Sequence, residues 1–166
     1  VVDGSPRPVT LTGCLNRSAV LAELERVVTA PDVDRLAVVF VDLDAFKSVN
    51  DTHGHAVGDE LLTVAAARLA AQARPTDLVG RIGGDEFLLI CPDVADRTQA
   101  LRLAQRVHDH LRATVPVTGA RLRLAASVGV TLARVGATAD LLVAESDSAM
   151  YQAKRTGTGP VFFARA

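Results

Sequence analysis

Two carboxylates, Asp85 and Glu86, directly follow a pair of glycines, Gly83-Gly84, between two short apolar runs. Leu78–Ile82 and Phe87–Ile90 read as β-strands, and glycines able to take positive φ would close a tight hairpin between them. By themselves, two adjacent acids at a turn are ordinary solvated residues. A third carboxylate changes their meaning. The unbroken apolar run Leu36–Val41 ends in Asp42-Leu43-Asp44. Such a run reads as a central strand buried on both faces, and ligands of open α/β sheets bind at the carboxyl ends of such strands. If that strand lies beside the hairpin, Asp42, Asp85 and Glu86 converge. Converging oxygens suit Mg²⁺, which completes its shell with water and phosphate. Carboxylates with a bound metal are recurring equipment for nucleotidyl transfer.

Other side chains near this cluster extend the chemistry. Lys47, five residues after Asp42, could meet phosphate charge, although a solvated surface lysine would look the same. Asn50 and Asp59 together offer the donors and acceptors that a guanine edge needs, although a turn residue and a helix N-cap would look the same. His53 and His55 flank Gly54, but without Cys or further His they fall short of a zinc site.

A fold must bring these residues together, and the chain has the material for one. Its 166 residues suffice for one domain with a real core. Hydrophobic residues make up 49% and charged ones 22%, with a net charge of −1, so the strongly basic field that long nucleic acid requires is missing. No apolar run approaches the ~20 residues of a membrane helix, and no basic-then-apolar leader opens the chain. Cys14 and Cys91 are far apart and outside any CxxC, which fits a reducing cytoplasm. Val1 in place of Met suggests a piece of a longer protein.

In chain order, residues 1–10 read as a linker or tail and 11–166 as the domain. Ser18 is the expected N-cap of a helix to about Val28, with Leu21, Leu24 and Val28 at helical spacing. The strand Leu36–Val41 follows, then a short helix or turn over Ala45–Asn50 and a loop over Asp51–Gly58. A helix is expected from Asp59 to about Ala73, stopped by Pro75. The hairpin comes next, then a connection over Pro92–Thr98. An amphipathic helix carries Ala100, Leu103, Ala104, Val107 and Leu111. Leu122–Leu132 reads as one strand, Ala139–Arg155 as a helix capped by Thr138 and ended near Gly157, and Val161–Phe163 as a last strand. The order describes an α+β domain: a mixed central β-sheet flanked by helices.

Taken together, Arg81–Phe87 (RIGGDEF), Val41–Asp59 (VDLDAFKSVNDTHGHAVGD), Ser127–Val130 (SVGV) and Ala149–Lys154 (AMYQAK) resemble the GGDEF family of diguanylate cyclases over nearly the whole chain. The resemblance implies a palm-like nucleotide cyclase fold whose hairpin carries the GGDEF residues. It implies an enzyme that condenses two GTP into cyclic di-GMP and two pyrophosphates, between two domains face to face. Asp42, the backbone carbonyl of Leu43, Asp85 and Glu86 would bind Mg²⁺ or Mn²⁺, with Asp85 as the base for the attacking 3′-hydroxyl. Asn50 and Asp59 would read guanine, His55 would lie near the substrate, and Lys47 and Lys154 would contact phosphates. Arg74-Pro75-Thr76-Asp77 matches the family's R-x-x-D product-inhibition site, with Arg102 or Arg106 to complete it. An upstream sensory or dimerisation domain is the expected partner, and the cytoplasm the expected location.

Two positions depart from the family pattern. Val9 stands where an aspartate is usual, removing an ion pair with Arg17. Thr158 stands where a phosphate-binding arginine is usual, and Arg155 lies on a different helix face. The alternative is therefore a weak or inactive GGDEF domain that binds GTP or cyclic di-GMP as a regulatory module.

Overall fold

In the computed structural model, which describes residues 12–165, the apolar run forms β1 (Ala37–Leu43), buried at all seven positions. It lies between β3 (Glu86–Cys91) and β6 (Ala126–Leu132), antiparallel to both. β2 (Leu78–Arg81) pairs with β3, and β7 (Val161–Phe162) runs parallel to β6, giving the order β2-β3-β1-β6-β7. A strand paired on both edges and covered on both faces has no place for a polar side chain except at its end. Asp42 stands at that end.

Alternate residues of β1 feed two separate cores. Val39, Val41 and Leu43 pack with Phe46, with α3 (His55–Gln72) and with α4 (Arg97–Leu111). Val38 and Phe40 pack on the other face with α1 (Arg17–Val27) and α5 (Ala139–Thr156). Asp42 shares the parity of Val38 and Phe40, so its carboxylate belongs to the α1/α5 face. Gly129 in β6 admits α5: a Cβ there would lie 2.1 Å from the Met150 nitrogen and 2.3 Å from the Ser146 carbonyl oxygen.

The same face carries a buried carboxylate that is fully answered. Glu145, 5% exposed, accepts from Thr131 Oγ1 (2.7 Å). Arg134 Nη1 lies 2.9 Å from its Oε1 and Arg165 Nη2 3.4 Å from its Oε2. Burial alone would push its pKa up, but these three donors outweigh burial and hold it below the usual glutamate value.

Several elements differ from the sequence expectation. Asn16, not Ser18, caps α1, accepting from the Ala19 N–H (2.9 Å). The Gly- and His-rich stretch is not a loop: α2 (Phe46–His53) runs through it, and α3 begins at His55, four residues before Asp59. Gly54 at φ 88° is the only break between them. Leu122–Leu132 is two strands. β4 (Thr114–Val117) and β5 (Ala120–Arg123) form a separate hairpin, and β6 starts at Ala126. Pro116 hid β4, and the hairpin buries only Val115. Thr138, Gly157 and Pro75 mark helix ends as expected. The tail over residues 1–10 and Val9 lie outside the described residues.

Two stability predictions follow from these contacts. Gly129→Ala should cost about 3 kcal/mol or leave the protein insoluble, because backbone rather than a mobile side chain meets the new Cβ; urea denaturation measures it. Glu145→Gln should lose about 2 kcal/mol at neutral pH, the scale of hydrogen bonds to a charged group. Because the folded pKa is depressed, that stability is present above the unfolded value and disappears as pH falls through the folded one. Denaturation midpoints of wild type and variant should therefore converge in acid.

Candidate active site

The end of β1 brings the acids together. In the strand register Asp42 is paired with Glu86 on β3 and with Ser127 on β6. Asp85 follows through the backbone, its carbonyl accepting from the Leu43 N–H (3.0 Å). Asp42 is 8% exposed. Its Oδ2 accepts from Lys154 Nζ on α5 (3.2 Å), and its Oδ1 is buried without a hydrogen-bond partner. Next in line, Asp44 accepts from the Ser127 hydroxyl (2.7 Å).

This geometry leaves surplus negative charge. Burial pushes the Asp42 carboxyl above the usual aspartate value, and Asp85 and Asp44 push it further; Lys154 only partly opposes them. Glu86 is raised by burial and then by Asp42, Asp85 and Asp147, against Arg17. Burial works to lower the Lys154 ammonium's pKa, but Asp42, Asp44 and Asp85 outweigh it and hold it up. Carboxylates raised in this way lack a counter-charge. Among the described residues, no group of three or more acidic, His or Cys side chains is arranged to hold a metal ion unaided. One or two carboxylates with space for phosphate oxygens is nevertheless the set that Mg²⁺ prefers. The orphaned Asp42 Oδ1 beside Glu86 fits a divalent ion on those terms.

The loop between β2 and β3 is held by arginines rather than by glycine conformation. The expected β2–β3 hairpin is present, but neither Gly83 nor Gly84 takes the positive φ expected of its turn. Arg81 donates to the carbonyls of Gly83 (3.1 Å) and Gly84 (2.8 Å), and Arg17 from α1 donates to that of Ile82 (2.9 Å). Gly83 instead leaves room for the Glu86 carboxylate: a Cβ there would stand 2.2 Å from Glu86 Oε2, so the side chain would have to swing aside.

Of the residues expected to meet substrate, Asn50 on α2 is half-buried, and its Oδ1 is buried with no partner. It rests against Gly58, where a Cβ would lie 1.9 Å away. Asp59 follows Gly58 in α3, exposed, and is not the helix cap. Asn50 thus lies where α2 packs on α3, against the residue that precedes Asp59. Lys47 and His55 are exposed, and neither makes an ion pair among the described residues. Lys154 and Thr158 line one cleft, which Arg155 does not enter.

Arg74 and Asp77 are each other's partners. The Asp77 carboxylate is 1% exposed and accepts from the Arg74 backbone N–H (2.8 Å), Nε (3.3 Å) and Nη2 (3.1 Å). Asp77 therefore aims Arg74 and presents no free edge itself. Arg74, Arg102 and Arg106 all line a cleft of about 240 Å³, so both candidate third residues are present.

The sequence reading missed two supporting groups. Asp147 adds negative charge near Glu86. Its position seven residues before Lys154, two turns along the same helix, was the available signal. Arg17, read from the sequence only as a residue whose usual ion-pair partner is replaced, reaches the β2–β3 loop across 65 residues, and no local pattern encodes such a contact.

The family profile described as "Diguanylate cyclase, GGDEF domain" matches residues 10–160. The response regulator PleD of Caulobacter vibrioides is 39% identical over 158 residues, covering 91% of this chain and 34% of PleD. The diguanylate cyclase TpbB of Pseudomonas aeruginosa is 36% identical over 154 residues, covering 90% of this chain and 35% of TpbB. The chain thus spans about a third of the length of these relatives. The crystal structure of the TpbB GGDEF domain superposes with a TM-score of 0.86 at 34% identity, covering 93% of this chain and 99% of that one. With the metal-type acids, the braced loop and the sheet order all in place, the chain belongs to the GGDEF family of diguanylate cyclase domains.

Proposed function

We propose that this domain condenses two GTP molecules into cyclic di-GMP, each domain of a facing pair holding one GTP. The observation that carries this reading is the buried, unpartnered Asp42 Oδ1 opposite Glu86, both carboxyls raised, with Lys154 alongside. Asp42, Asp85, Glu86 and the Leu43 carbonyl would hold Mg²⁺ or Mn²⁺. When bound, the ion neutralises charge on the α-phosphate and the leaving pyrophosphate. Asn50 and Asp59 hold the guanine edge, with His55 nearby, and Lys47 and Lys154 hold phosphate charge. The 3′-oxygen of the GTP on one domain attacks the α-phosphorus of the other. The bond from α-phosphorus to the bridging oxygen breaks, pyrophosphate leaves, and Asp85 takes the hydroxyl proton. A second, symmetric attack closes the ring. Product returning to the Arg74, Arg102 and Arg106 cleft would inhibit the enzyme, because its guanidinium groups, two of them beside an Arg74 that Asp77 holds in place, suit phosphates and guanine edges.

Thr158 favours a second reading, a domain that binds GTP or cyclic di-GMP and turns neither over. One assay separates the two. Concentrated protein, and a version fused to a dimerising coiled coil, are incubated with GTP and Mg²⁺, and products are separated by chromatography. Cyclic di-GMP formed faster by the forced dimer supports the cyclase; none from either sinks it.

Asp42→Asn and Glu86→Gln should each lower turnover by about 100-fold or more, the scale of removing one preorganised electrostatic group. Asp42→Asn should keep or raise the melting temperature without metal, because it removes a carboxylate that folding strains. Arg74→Ala should raise the cyclic di-GMP concentration for half-inhibition about tenfold, or 1.4 kcal/mol, leaving initial rates unchanged. Inhibition curves identical to wild type would remove the product site.

A further inference from the structure

The cleft that contains Lys154 and Thr158 has a wall that the reaction above leaves unused. Its volume is about 630 Å³. It begins beside the acid cluster at Asp44 and Ser127, passes Lys154 and the turn at Gly157-Thr158-Gly159, and reaches α4 at Gln105, His108 and Arg112. Asp44 is the one carboxylate in the lining, and Ser127 already occupies its Oδ1. Lys154 and Arg112 carry positive charge, and His108 adds a titratable ring. Arg112 caps the carboxyl end of α4, its backbone N–H donating to the His108 carbonyl (3.2 Å). Its guanidinium makes no hydrogen bond or ion pair among the described residues, although its charge is felt at Asp109.

A nucleotide at this site has two ends. The base belongs with Asn50 and Asp59, where α2 meets α3. With its α-phosphorus at the acids, the terminal phosphates pass Lys154, which bonds Asp42 and also lines the cleft. Beyond Lys154 the lining side chains of the α5 turn bring no charge, and the Thr158 hydroxyl is shared with Thr156 (2.9 Å). The next full positive charge in the lining is Arg112.

We propose that Arg112, with His108 and Gln105 beside it, forms the subsite for the terminal phosphates of the nucleoside triphosphate and for the pyrophosphate released from it. The inference rests on the cyclase reading. An arginine with its fork free is suited to bidentate phosphate binding, whereas lysine acts as a point charge. The α4 wall thereby supplies the charge that Thr158 does not.

The test titrates inorganic pyrophosphate with Mg²⁺ into wild type, Arg112→Ala, Arg112→Lys and Arg121→Ala, by calorimetry. Arg121, exposed on β5, is the control for loss of a surface charge. Arg112→Ala should bind pyrophosphate about tenfold more weakly, Arg112→Lys should recover only part of that loss, and Arg121→Ala should match wild type. In turnover, Arg112→Ala should raise the KM for GTP by a similar factor with kcat little changed. Thermal melts matching wild type would show that the variants fold. Equal pyrophosphate affinity in wild type and Arg112→Ala, or no measurable binding by wild type, overturns the inference. Arg112-dependent pyrophosphate binding in a protein that forms no cyclic di-GMP would instead refute the cyclase reading and leave the subsite standing.

Discussion

Asp42 and Glu86 are brought opposite each other by antiparallel pairing, and the protein supplies one directly bonded ammonium, Lys154, against the group. Like charges in a partly dry site repel strongly, so only a rigid frame can keep them together. The frame is the sheet order. With β1 central, its last residues are fixed from both sides, by Glu86 and Asp85 on one edge and by Ser127 and Ala125 on the other. The loop carrying Asp85 is fixed in turn by Arg81 within the hairpin and by Arg17 from α1.

The second dependence is the depth at which α5 sits. Lys154 reaches Asp42 because α5 lies directly on β6, its backbone against Gly129. Asp147 and Lys154 descend from the same helix with opposite effects, one adding negative charge near Glu86 and the other answering Asp42. A helix held farther out would take both away. The glycine of the Ser127–Val130 motif is thus a packing requirement with a chemical consequence.

Much of this was legible in the sequence, for reasons that can be named. The strand over Leu36–Val41 declared itself because full burial demands an unbroken apolar run. Thr138 and Gly157 declared the limits of α5 because caps are local chemistry. What failed was what locality does not encode. The end of α2 and the start of α3, over Asp51–Gly58, are largely exposed, so they show little apolar periodicity, and their Gly and His residues imitate a loop. The β4–β5 hairpin is held from outside, by Glu60 on Thr118 and by Arg68 on three carbonyls, and no residue within it announces that support. The acids Asp42, Asp85 and Glu86 were found from their positions at strand ends. The burial of Asp77 and its engagement by Arg74 could not be read from an R-x-x-D spacing.

Asp42 and Glu145 make the final comparison, because they differ in almost nothing but their partners. Both are buried carboxylates on the α5 side of the sheet. Glu145 is met by a hydroxyl and two guanidinium groups, and its pKa falls. Asp42 is met by one ammonium and two further acids, and its pKa rises. Desolvation opposes the charged form in both cases, so the difference lies in what the fold provides against it. A buried acid with complete partners has nothing left to bind and holds structure together. A buried acid left short of partners costs stability, a cost that protonation or a bound cation relieves. Helix α5 carries Glu145 itself and, nine residues further on, the Lys154 that answers Asp42, so its packing bears on both buried acids.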